Sequence, residues 1–105
     1  MLFYIIQLFD INYKDDMLLA MTSVGIMRGT YVEGSNLDSL LDQEFPIFRG
    51  FFKTKEDKER ACSLFFGMVD SETKLINLRQ LLLDSGIEGN TDDIFQIMVI
   101  AGKTI

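Results

Sequence analysis

The chain has 105 residues, 48% hydrophobic and 25% charged, which makes residues 1–105 a single globular domain and excludes a disordered segment. Its formal charge of −6 argues against nucleic acid, whose phosphates need a basic face, and disfavours an anionic membrane surface. Without histidine there is no histidine catalysis and no usual zinc site, and the single Cys62 excludes an internal disulfide framework and suits a reducing compartment.

The opening "MLFYIIQLFD" lacks the basic start of a signal peptide, and no apolar run is long enough to span a bilayer. The sequence therefore predicts a cytoplasmic protein with no membrane insertion. "LFYIIQLF", residues 2–9, reads as a strand whose two faces are both apolar: Leu2, Tyr4, Ile6 and Leu8 against Phe3, Ile5 and Phe9. A helix follows in "NYKDDMLLAMTSVGI". Asn12 is its expected N-cap, Asp15 and Asp16 favour its first turn, and Met17, Leu18, Met21 and Val24 recur at helical spacing before Gly25 ends it. "MRGTYVE", residues 27–33, is a short strand.

Residues 34–60 form a connection longer than compact domains usually leave bare. Within it "FPIFRGFF" predicts a short helix near Pro46, with Phe45, Phe48 and Phe52 on one side. "KTKEDKER" is a solvated charge run. "ACSLFFGMVD", residues 61–70, is a strand, again apolar on both faces. Ser71 caps a second helix, "ETKLINLRQLLLDSG", with Leu75, Leu78, Leu81 and Leu82 as its buried stripe. Gly86 stands where a left-handed cap belongs, and Ile87 supplies the apolar contact that accompanies one. "DIFQIMVIAG", residues 93–102, is the last strand.

This order predicts an α+β fold: a ferredoxin-like βαββαβ sandwich, a four-stranded antiparallel sheet with two helices on one face. The open face of such a sheet should be polar in a monomer. Three of these strands do not alternate, so the open face is expected to be covered by other copies of the chain, the alternative being that the long connection folds over it.

"TSVGIMRGTYVEG" resembles the end of the first helix and the second strand of the PII nitrogen-regulatory signal proteins and their PII-like relatives. "CSLFFGMVDSETKLINLRQLLLDSG" resembles their third strand and second helix, and "FPIF" resembles an "IPIF" phrase of relatives with a shortened, apolar T-loop. The resemblance implies a homotrimer that binds a small metabolite or an adenine nucleotide in clefts between subunits. It also implies that the residue 34–60 loop contacts a regulatory target protein. By position, Thr30, Gly34 and Ser35 correspond to the T-loop base, and Gly86, Gly89, Asn90 and Thr91 to the B-loop that lines the cleft.

The phosphate-binding form of that loop reads roughly "G-x-x-G-D-G-K". In "SGIEGNTDD" the third glycine and the lysine are missing, and Asp92 and Asp93 stand about where the lysine belongs. Carboxylates repel phosphate by about 1 kcal/mol each at 4 Å even in water. The basic C-terminal tail of typical members also has no counterpart in "AGKTI", where Lys103 is the sole cation. A nucleotide bridged by Mg²⁺, with Asp92 and Asp93 as candidate metal ligands, or a different and less anionic ligand is compatible with this loop.

Other residues carry less. Cys62 reads as a small core residue, and Arg28, Arg49 and Arg60 as surface cations near the cleft or loop. The Gly86-x-x-Gly89 spacing lacks the basic surround of an RNA clamp. An enzyme on this fold would depend on carboxylates or on Tyr4, Tyr13 and Tyr31 for acid–base work. A structural interaction module without a ligand is the third reading.

Overall fold

A computed structural model describes residues 1–44, 61–87 and 91–105. Four strands, β1 (Leu2–Leu8), β2 (Thr30–Ser35), β3 (Ala61–Val69) and β4 (Phe95–Ala101), form one sheet in the order β2-β3-β1-β4. Every neighbouring pair is antiparallel. Helices α1 (Lys14–Ser23) and α3 (Glu72–Asp84) connect β1 to β2 and β3 to β4, giving the ferredoxin-like α+β fold that the element order predicts. A third helix, α2 (Leu37–Glu44), lies in the long connection and was not foreseen. The helix expected near Pro46 lies outside the described residues.

The strand register sorts side chains between two faces. Tyr4, Ile6, Leu8, Phe65, Val69 and Phe95 face the helices and are buried with Met17, Ala20, Met21, Leu75, Leu78 and Leu82. Each large side chain fully buried there contributes about 1.5–3 kcal/mol. On the opposite face lie Phe3, Ile5, Leu64, Phe66, Met68, Met98 and Ile100. Phe3 and Phe66 stack in a tilted pair with centroids 6.4 Å apart. Met98 and Ile100 remain 43% and 50% exposed, so this open face is apolar and incompletely covered.

Several local expectations need correction. Asn12 does not cap α1. The Asp10 carboxylate accepts from Asn12 N at 3.0 Å and starts a 3-10 turn, Ile11–Tyr13, from which α1 continues. Leu18 (41% exposed) and Leu81 (38%) point outward, while Ala20 packs inward with the core. β2 starts at Thr30 rather than residue 27, because the Arg28 carbonyl turns to accept the Tyr4 hydroxyl. Asp93 precedes β4, in the 3-10 turn Thr91–Asp93. The caps agree with expectation. Ser71 Oγ accepts from Thr73 N at 3.1 Å, Gly25 and Gly86 adopt φ of 84° and 86°, and Ile87 packs on the core.

Candidate functional site

The antiparallel order brings the β2 end, the β3 start, the α3 end and the β4 start to one end of the sheet. Gly34 and Ser35 emerge there, exposed, paired with Cys62 and Ala61. Gly86 and Thr91 emerge at the same end. They do not meet, since β2 and β4 are opposite edges, three strand spacings or roughly 14 Å apart. Gly89 and Asn90 lie outside the described residues. Thr30 is separate from Ser35 as well, at the far end of the six-residue β2.

At the β4 edge a hollow of about 270 Å³ is lined by Arg79, Thr91, Asp92, Phe95, Gln96 and Ile97. Ile94 N donates to Thr91 O at 3.0 Å and fixes the turn that presents Asp92. Among the described residues Arg79 is the only cation lining this hollow, so an anion there meets one guanidinium and one carboxylate. Asp93 is exposed beside it. Among the described residues no group of three or more His, Cys, Asp or Glu side chains is placed to hold a metal ion, so Asp92 and Asp93 would need ligand oxygens to complete a Mg²⁺ shell.

Thr30 lines a second hollow of about 270 Å³ between α1 and β2, with Tyr4, Met21, Ile26, Tyr31 and Phe65 among its other walls. Above it stands a polar cluster that the sequence reading missed. Tyr31 and Glu33 point the same way from β2, and the Tyr31 hydroxyl donates to Glu33 at 2.5 Å and lies 3.1 Å from Ser63 Oγ. Lys14 pairs with Glu33 at 3.3 Å and sits 4.7 Å over the Tyr31 ring. The Tyr31 hydroxyl, then Lys14, hold the Glu33 carboxyl below its usual range, and Tyr31, then Glu33, raise Lys14. The period-two placement of Tyr31 and Glu33 was the available signal. Ser63 is fully buried and Cys62, half-buried, has its thiol pushed up by burial.

No protein-family model matches the chain, and no curated protein is significantly similar to it in sequence. Among the described residues no helix is long and apolar enough to cross a membrane.

Proposed function

We propose that the chain is a PII-like regulatory protein that works as an oligomer, three copies by the resemblance, and holds a small metabolite or Mg²⁺-bridged adenine nucleotide between subunits. Its state would reach a target protein through the residue 34–60 loop. The observation that carries this reading is the separation of the two loop sets. Gly34 and Ser35 leave the same end of the sheet as Gly86 and Thr91 but on the opposite edge, so a cleft using both sets needs a neighbouring copy. The apolar open face supports the neighbour, since Phe3, Ile5, Phe66, Met98 and Ile100 lose water when copies pack there. Arg79 adds an anion partner beside Thr91.

A thermal-shift series with ATP, ADP, AMP, 2-oxoacids and Mg²⁺, combined with light scattering, tests it. A ligand that binds only the folded state raises the melting temperature. The expected result is an oligomer stabilised by at least one of these compounds. A stable monomer that responds to none of them would overturn the proposal.

A further inference from the structure

The outer edge of β4 has no assigned partner. β1 pairs with one side of β4, and among the described residues no strand pairs with the other. Two hydrogen bonds fix which backbone groups face outward. Phe9 N donates to Ile94 O at 2.8 Å, and Gly102 N donates to Met1 O at 3.2 Å. Both link residues directly opposed in the β1–β4 register, so Ile94, Gln96, Met98, Ile100 and Gly102 turn their backbone groups toward β1. Phe95, Ile97, Val99 and Ala101 therefore present N–H and C=O groups to the outside. Protected edges carry a proline, a lysine or a bulge. "FQIMVIA" has no proline or lysine, and its register with β1 is uninterrupted.

We propose that two copies of the chain pair through this edge, antiparallel, about a two-fold axis at Met98. Only this register places all of Phe95–Ala101 opposite β4 of the second copy. It makes Ile97 with Val99, and Phe95 with Ala101, hydrogen-bonded pairs, which satisfies the outward groups. Met98 then faces Met98 of the second copy as a non-hydrogen-bonded pair.

Charge selects the occupant. Just beyond the paired segment, Asp93, in the turn before β4, and Lys103, the only charged residue from Phe95 to Ile105, come to the same end of the seam from opposite copies, and the two-fold axis creates this proximity twice. Both residues are exposed. The sheet's other open edge, β2, contains Glu33 and no cation, so it offers Asp93 no such match. Apolar surface also disappears at the seam. Met98 and Ile100 adjoin it on the open face, and Ile76, 61% exposed, lies one helical turn from Arg79, which overhangs Phe95 and Ile97. The pairing uses the edge and leaves the open face available, so it does not rest on the function proposed above.

Cysteine cross-linking in a Cys62→Ser background tests the register. Opposed residues of a non-hydrogen-bonded pair have Cα atoms about 4.5 Å apart, within the disulfide range of roughly 4.4–6.8 Å. Met98→Cys is therefore expected to give a disulfide-linked dimer on oxidation of the folded protein. Ile100→Cys would stand roughly 14 Å from its own copy and should give none. At low salt Lys103→Glu should slow the Met98→Cys cross-link, and adding Asp93→Lys should restore it. No linked dimer from Met98→Cys, equal linking by Ile100→Cys, or a charge reversal that the second substitution does not rescue would each overturn the pairing. Phe66→Asp, on the open face, separates the two proposals. Met98→Cys dimers that persist in that background uphold the edge contact where the open-face assembly has failed. With Phe66 intact, an oligomer that gives no Met98 cross-link overturns the edge contact and leaves the open-face assembly standing.

Discussion

The Tyr4 hydroxyl fills the space that a side chain at Gly29 would need. Tyr4 donates to the Arg28 carbonyl at 2.8 Å, and Gly29 follows with φ of 154°. A β-carbon at Gly29 would overlap Tyr4 Oη and stand 2.7 Å from the Phe66 carbonyl oxygen. Neither neighbour yields easily, because Tyr4 is 1% exposed and the Phe66 carbonyl belongs to β3. Gly29→Ala is expected to cost about 2–3 kcal/mol, a fall in Tm of roughly 10–20 °C for a domain of this size. Adding Tyr4→Phe removes part of the overlap, so the double variant should lose less than the sum of the single variants in denaturant melts.

Adjacent residues on β1 and β3 separate folding from assembly. Ile6 is fully buried on the helix side, whereas Phe66 lies half-buried on the open face. Ile6→Asp buries an unpaired charge and is expected to abolish folding, seen as loss of the circular-dichroism signal. Phe66→Asp should leave the secondary structure in place and lower the mass measured by light scattering. A Phe66→Asp protein that keeps its full assembly mass would show that the open face is not an interface.

The Lys14–Tyr31–Glu33 cluster predicts a pH dependence of defined sign. Glu33's folded pKa lies below its unfolded value, so its contribution is present above the unfolded pKa and is lost as pH falls through the lowered folded one. Lys14's is raised, so its contribution is present below the unfolded pKa and is lost as pH rises through the raised folded one. Both groups are solvent-exposed, so these effects on stability are small. Tyr31→Phe removes the largest cause of the Glu33 shift. The Glu33 carboxyl midpoint, followed by NMR, is expected to move up toward the ordinary glutamate range. An unmoved midpoint would show that the Tyr31 hydroxyl does not hold Glu33.

The order of elements was legible because the punctuation is local. Gly25, Ser71 and Gly86 act within a turn of their own positions, and the strands carry continuous apolar runs. The inward side of α1 was less so. Spacing alone admits either Leu18 or Ala20 beside Met17 and Met21, and the structure buries Ala20 while leaving Leu18 41% exposed. α2 was missed although Leu37, Leu40 and Leu41 recur at helical spacing in "LDSLLDQE"; Leu37 and Leu40 stay 69% and 40% exposed. Its start is instead tied by Asn36 Nδ2, which donates to Phe9 O at 2.9 Å. That contact, like the Tyr31–Ser63 contact, joins residues distant in sequence, where no periodicity reports it.

The final prediction concerns the hollow at the β4 edge. Asp92 and Arg79 line it together, with Asp93 exposed close by. A phosphate entering there gains a guanidinium and meets acid, and each carboxylate about 4 Å away opposes it by about 1 kcal/mol in water, roughly fivefold in affinity. ATP in the presence of a chelator is therefore expected to bind weakly or not at all in calorimetry, and tight metal-free binding would refute this account of the site. With Mg²⁺ present the carboxylates change role, from repelling the phosphate to sharing its cation. Asp92→Asn combined with Asp93→Asn should then weaken Mg²⁺-ATP binding while improving metal-free binding by up to about thirtyfold. Arg79→Ala should weaken both forms, because it removes the cation of the hollow without altering the acid. A loss confined to one form after Arg79→Ala would place the phosphate elsewhere in the molecule.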